Sequence, residues 1–139
     1  MAELARIGIA IPDDLLNEFD RLIERRGYAT RSEAVRDLVR KELVDEIAAS
    51  PTAEVYGTVT LIYDHHARRL LDKLTDIQHG YHDAIMSSVH VHLDHNNCLE
   101  VILVRGKSVM VQKLANALIA TKGVKHGRFM LTTSGRDLP

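Results

Sequence analysis

The 139-residue chain contains a single cysteine, Cys98, so no disulfide can form within it. That residue is left as a small buried apolar side chain, a reactive thiol or a metal ligand. No apolar run approaches the roughly 18 residues that a membrane-spanning helix needs. The opening Met-Ala-Glu-Leu-Ala-Arg also lacks the basic start and apolar stretch of a signal peptide. These absences lead to the expectation of a cytoplasmic protein without a membrane partner. Charge of one sign is lacking too: 18 basic and 19 acidic residues leave a net charge of -1, with histidine taken as neutral. There is therefore no global pull toward nucleic acid or an anionic surface. A Gly-rich phosphate loop, a nucleophile elbow and an internal repeat are all missing. At 45% hydrophobic and 27% charged residues, the composition is that of a globular protein and excludes disorder and low complexity.

Histidine is what the chain has in excess. There are eight, and five of them lie between His79 and His95.

Two kinds of pattern divide the chain. In Arg6-Ile7-Gly8-Ile9-Ala10-Ile11 isoleucine alternates with small or basic residues, the period of a half-buried strand, and Pro12 ends it. From Asp13 the spacing turns helical through Leu15, Leu16, Phe19, Leu22 and Ile23, stopping at Arg25-Arg26-Gly27. Thr30-Arg31-Ser32-Glu33 reads as a capping box that opens a second helix through Ala34, Val35, Leu38, Val39 and Leu43 to about Ala48. One strand and two helices in so few residues bury too little to stand alone, and a lone strand has both edges unpaired. This segment is expected to dimerise. Ala49 to Glu54 has the composition of a short linker.

Beyond the linker the pattern gives a strand over Val55 to Tyr63 and a helix over His65 to about Gln78. Strands over Ile85 to Asp94 and Cys98 to Arg105 turn at His95-Asn96-Asn97. A helix over Val109 to Thr121 is closed by Gly123, and a last strand covers Val124 to Thr133. This is the ferredoxin-like βαββαβ order. The fold class is thus α+β, with domains at 1–50 and 51–139.

The chemistry gathers in the hairpin. His90 and His92 are two apart, so both imidazoles leave one face of a strand while Val89, Val91 and Leu93 occupy the other, giving a histidine face and an apolar face. With a three-residue turn Asp94 pairs with Cys98, which then shares the histidine face and sits diagonal to His92. Two imidazoles and a thiolate suit Ni(II), Cu(II) or Zn(II), and the set is one ligand short of four-coordination. His79 or His82, from the same chain or a neighbour, can supply the fourth. The nearby acids Asp94 and Glu100 define no cleft, so no catalytic role is expected.

Residues 1 to 49 carry 8 basic and 11 acidic side chains, which argues against DNA binding on charge alone. Placement argues the other way. Two copies of the Arg6–Ile11 strand paired antiparallel make a ribbon that fits the major groove, with Ile7, Ile9 and Ile11 toward the helices and Arg6, Gly8 and Ala10 outward. Arg6 is then the reader of a guanine edge, and the free amides near Ser32 and Glu33 can hold a phosphate.

The segments Arg6-Ile-Gly-Ile-Ala-Ile-Pro, Arg26-Gly-Tyr28 and Arg31-Ser-Glu-Ala-Val-Arg-Asp37 resemble a ribbon-helix-helix DNA-binding domain. Gln78-His79 with His90-Val-His92-Leu-Asp-His-Asn-Asn-Cys98-Leu-Glu100 resembles the metal-binding domain of the NikR family of nickel-responsive repressors. The resemblance covers essentially the whole chain. It implies a homotetramer in which two ribbon-helix-helix dimers flank four ACT-like domains. It also implies one square-planar Ni(II) per chain, held by His90, His92 and Cys98 of one subunit and His79 of another, with weaker metal binding at His82. Glu33 and Asp37 match acids that take a further cation, potassium, between the domains, with carbonyls near Ile119, Thr121 and Val124. Nickel would then favour binding to operator DNA and repression of nickel-uptake genes. Gly8 and Ala10 depart from the Ser or Thr usual in the family, and neither has a side-chain hydrogen-bonding group for a base edge. The alternative is a ribbon-helix-helix regulator or antitoxin whose ACT-like domain senses zinc, copper, cobalt or a small molecule.

Overall fold

A computed structural model describes residues Glu3–Pro139; Met1 and Ala2, the start of the expected N-terminal domain, lie outside the described residues. The chain forms two compact units, one running to Leu43 and including Leu138–Pro139, the other Val44–Asp137. The division falls inside a helix.

In the first unit α1 (Asp13–Arg25) follows Pro12, and α2 (Arg31–Ala49) follows a short turn. Gly27, at φ 80°, ends α1: its amide donates to the Glu24 carbonyl and the Tyr28 amide to the Ile23 carbonyl, which satisfies the last orphan acceptors. Thr30 opens α2 as expected, its Oγ1 accepting from the Glu33 amide at 3.1 Å. The two helices are tied by Arg31, whose Nε and Nη2 each donate to an Asp20 carboxylate oxygen at 2.8 Å. Ile23 and Ala34 are the buried hydrophobic residues of this unit.

The expected strand over Arg6–Ile11 is absent: the described residues before α1 join no ladder. Its period-2 pattern encodes a strand, but a strand is defined by hydrogen bonds to a neighbour, and one copy of the chain offers none. Ile7 and Ile9 are consequently 77% and 66% exposed.

The second unit has β1 (Glu54–Asp64), α3 (Arg68–Gly80), a short 3-10 turn (His82–Ala84), β2 (Ile85–His92), β3 (Asn97–Lys107), α4 (Ser108–Ile119) and β4 (Val124–Thr132). The sheet order is β2-β3-β1-β4, with every neighbouring pair antiparallel. This is the ferredoxin-like arrangement that the order of elements predicts. Val55, Val59, Leu61 and Tyr63 of β1 and Cys98, Ile102 and Val104 of β3 share the core face. Leu70 and Leu74 of α3 and Val111, Leu114, Ala115 and Leu118 of α4 fill the same core. At about 1.5–3 kcal/mol for each fully buried Val, Leu or Ile, this layer is the main stabilising term.

Three local expectations change. α3 starts at Arg68 rather than at His65, because the Asp64 carboxylate takes the His66 amide at 2.9 Å and turns the chain before the helix begins. α4 ends at Ile119, and Gly123 (φ 107°) serves the turn into β4 rather than the cap. The segment of linker composition is anchored, since the amides of Ser108 and Val109 at the start of α4 donate to the carbonyls of Ala53 and Pro51. The buried Ser108 hydroxyl donates to the Ala48 carbonyl at 2.6 Å.

Candidate metal centre

β2 is an edge strand and β3 its inner neighbour, so the hairpin carries its side chains to the margin of the helix-covered face. The observed register sets His92 directly opposite Cys98 and His90 opposite Glu100. The expected diagonal placement of Cys98 relative to His92 therefore shifts by two residues. The turn is longer than three residues because Asp94 Oδ1 accepts from the amides of both Asn96 and Asn97, at 2.9 and 2.7 Å. A shift of two keeps the parity, so the thiol stays on the histidine side.

The pairing also decides which of the two faces meets the core. The histidine face is the core side: His90, His92, Cys98 and Glu100 share it with Tyr63, Leu61 and Ile102. Val89, Val91 and Met130 lie exposed on the open face. The core residues of α3 and α4 pack on the other face, with Val59, Leu61 and Tyr63.

Cys98 is fully buried, with its Sγ 3.1 Å from His90 Nε2 and 3.5 Å from the Tyr63 carbonyl oxygen. Burial pushes the thiol pKa up, and the nearby Glu100 and Asp64 charges add to that. The thiol is therefore protonated until something replaces the proton. Tyr63 Oη stands 3.3 Å from His90 Nε2 and donates to Glu100 Oε1 at 3.4 Å. Burial first, and the Glu100 carboxylate second, raise the Tyr63 pKa, so the phenol stays protonated. Glu100 is only 6% exposed. The ring of His92 lies 6.1 Å from that of His90 and 4.5 Å from that of His65, centroid to centroid.

Of the four expected nickel ligands, the fold brings His90, His92 and Cys98 to one patch. His79 is exposed in the last turn of α3, and among the described residues no hydrogen bond or ring contact joins it to the trio. His82 is exposed, with Nδ1 3.3 Å from the His79 carbonyl and Nε2 3.1 Å from Asp83 Oδ1. In the first unit Arg6, Gly8 and Ala10 are exposed, as is Glu33. Asp37 accepts from Tyr28 Oη at 2.8 Å and pairs with Arg40 at 3.4 Å. Sequence reasoning missed Tyr63 as part of the patch. Its inward parity was visible, but its position opposite Cys98 depends on the β1–β3 register.

Residues 56–132 match the family described as the NikR C-terminal nickel binding domain. The chain belongs to the NikR family. Residues 5–46 match a second family, the ribbon-helix-helix proteins of the copG type. Three relatives are each named "Putative nickel-responsive regulator". They come from Solibacter usitatus (59% identical), Geobacter metallireducens (56%) and Pelobacter propionicus (54%). Each alignment spans 138 residues and 99% of both chains. NikR proteins of this kind are regulators, not enzymes, which agrees with the lack of a catalytic motif. Among the described residues no helix is long and apolar enough to cross a membrane.

Proposed function

We propose that this NikR-family chain is a nickel-dependent transcriptional repressor, in which Ni(II) at His90, His92 and Cys98, completed by His79 of another copy, favours binding to operator DNA. On this reading residues 1–50 bind DNA, residues 51–139 bind nickel and hold a homotetramer, and the regulated genes serve nickel uptake. The observation that carries it is the convergence of His90 Nε2 and Cys98 Sγ to 3.1 Å across the hairpin, with His92 opposite the thiol.

The donor set fits the ion. Nitrogen and sulfur ligands at about 2.0 and 2.3 Å from one metal lie about 3.0 Å apart at a right angle and about 3.5 Å apart at a tetrahedral one. The observed separation belongs to that range without rearrangement. A bound metal supplies a positive charge that takes the place of the thiol proton and joins groups from separate elements. The chain's own groups do the rest. Cys98 gives up its proton, the imidazoles accept coordination as neutral rings, and Tyr63 Oη, which donates to Glu100, stands beside the Nε2 of His90 on the side of the thiol.

The ribbon is supported by what the first unit leaves uncovered. Ile7, Ile9, Ile11, Leu16, Phe19 and Val35 line an apolar groove of about 820 Å³. A second copy's strand and helices supply the matching surface, and Arg6, Gly8 and Ala10 then face outward. Nickel acts by preferring the arrangement that also fits DNA, and the coupling equals the difference in nickel affinity between arrangements. On the family resemblance, Glu33 and Asp37 take a potassium ion and His82 a weaker metal.

Nickel titration of the full chain, read by ultraviolet thiolate-to-metal absorption and by gel shift on nickel-uptake promoter DNA, tests the reading. A saturating band that Cys98→Ala or His90→Ala abolishes, with DNA retarded only in nickel, is expected. No band, or a DNA affinity indifferent to nickel, overturns it.

A further inference from the structure

Among the described residues β2, which carries His90 and His92, is paired on one side only, with β3. The opposition of His92 and Cys98 therefore depends on the turn between the two strands. A slip of two residues would keep both side chains on one face and yet move the thiol to a diagonal position about 7–8 Å away. The turn closes on Asn97, one pair beyond His92 and Cys98: the Asn97 carbonyl accepts from the amides of Leu93 and Asp94 at 2.9 and 3.3 Å. The Asn97 side chain works in two directions. Its Nδ2 donates to the Asp94 carboxylate oxygens at 3.1 and 3.3 Å, and its Oδ1 accepts from Lys125 Nζ. A carboxamide suits this place because it has both a donor and an acceptor. The same turn is fastened to the end of β1, where the His65 amide donates to the Asn96 carbonyl at 3.1 Å. Lys125 comes from further off. It belongs to β4, and β1 lies between β4 and β3. Its reach has a local cause, since β1 pairs Ile62 with His126 but Tyr63 with Val124, which leaves Lys125 as the extra residue of a bulge. A bulge re-aims a side chain out of the alternation of its strand. Lys125 is exposed, and a lysine so placed ordinarily leaves its ammonium in water rather than on a neighbouring carboxamide.

We propose that Lys125 is a positioning residue for the candidate nickel centre: through Asn97 it clasps the hairpin turn and holds His92 opposite Cys98 in the metal-free chain. The role in metal binding rests on the nickel-centre reading given above. The clasp itself does not. A turn fixed from β4 presents its donors already opposed, so less ordering accompanies binding, and affinity rises without any new ligand. Lys125 bonds to none of the three donors, and its loss leaves the ligand set intact. Groups that orient metal ligands from outside change metal affinity by about 10–100-fold, and Lys125, which acts through one further residue, falls near the lower end.

The test compares the full-length chain with Lys125→Met, which keeps the length of an exposed side chain and removes its donor, and with Lys125→Arg, which restores a donor. Nickel chloride is the probe. Competition with a chelator gives the affinity, and the thiolate band reports the ligand set. Lys125→Met is expected to bind nickel about tenfold more weakly while forming the same final band, and Lys125→Arg to recover most of the loss. Nickel bound by Lys125→Met as tightly as by wild type overturns the positioning role, whatever the melting temperatures, and so does an affinity as low in Lys125→Arg as in Lys125→Met. Amide hydrogen exchange in the metal-free chain tests the clasp alone. The amides of His65, Leu93 and Asn97, which the turn engages, are expected to exchange faster in Lys125→Met, and unchanged exchange overturns the clasp. Faster exchange in a protein whose wild type shows no thiolate band would sink the nickel-centre reading and leave the clasp standing.

Discussion

A methyl group at Gly57 is the sharpest probe of how the sheet is assembled. Gly57 faces the core from β1, opposite Leu131 of β4. A Cβ built there would stand 2.6 Å from the Met130 carbonyl oxygen and 3.0 Å from Phe129 Cε2. Ordinary contact begins near 3.4 Å, so β4 would have to retreat by about 0.8 Å at this point. The obstacle is backbone, which cannot swing aside as a side-chain tip can. Inserting a methyl into a packed site costs about 1–3 kcal/mol. The lost freedom of the unfolded chain returns about 0.4–1 kcal/mol. Gly57→Ala is therefore expected to destabilise by about 1–2 kcal/mol, and for a unit of this size the melting temperature falls by roughly 5–15 °C. Gly80→Ala is the control. It makes the same chemical change at the end of α3, where nothing lies within 4 Å and φ is not positive, and it should stabilise by up to about 1 kcal/mol. Thermal unfolding followed by circular dichroism measures both. A Gly57→Ala protein as stable as wild type would refute the close β1–β4 approach, and with it the register that sets Gly57 opposite Leu131.

Three further outcomes follow from the same contacts. Ser108→Ala removes a buried hydroxyl that donates to the Ala48 carbonyl and accepts from Gln112 Nε2 at 3.0 Å, so urea unfolding should show a loss of about 1–2 kcal/mol. Asp20, held below the usual carboxylate range by its hydrogen bonds to Arg31, stabilises the first unit only while ionised. That contribution is present above the unfolded pKa of about 4 and lost as pH falls through the folded value. Wild type should accordingly lose urea resistance between about pH 5 and 3 more steeply than Asp20→Asn, and parallel curves would count against the pair. Arg6→Ala should weaken DNA binding in nickel-saturated buffer without changing the thiolate band, and an unaltered gel shift would remove Arg6 from the interface.

Much of the second unit was legible because its patterns are local. The alternation from Val55 to Tyr63 and the helical spacing of Leu70 and Leu74 translate directly into the faces that pack. So does the parity that joins His90, His92 and Cys98. The pairing register of the hairpin was not legible, because it depends on how many amides the Asp94 carboxylate gathers in the turn. Nor was the side of the sheet that the helices cover. The alternation separates Val89 and Val91 from His90 and His92 without telling which set faces the helices; the helices pack on the histidine side, which leaves the valines open and places the imidazoles beside the buried thiol.

The remaining mismatches share one cause. Ile7, Ile9 and Ile11 have the period of a strand and find no ladder, and His79 has the chemistry of a ligand and finds no metal site within reach in one copy. A sequence records the half-interactions that a chain makes with another copy of itself, but folding a single copy leaves them open. On the proposed reading the two open halves are functionally connected: completing the ribbon creates the DNA-facing surface, and completing the metal centre creates the nickel-dependent one. Both require association. Nickel and DNA would then each stabilise the assembly that the other needs, and regulation arises because neither site is whole within a monomer.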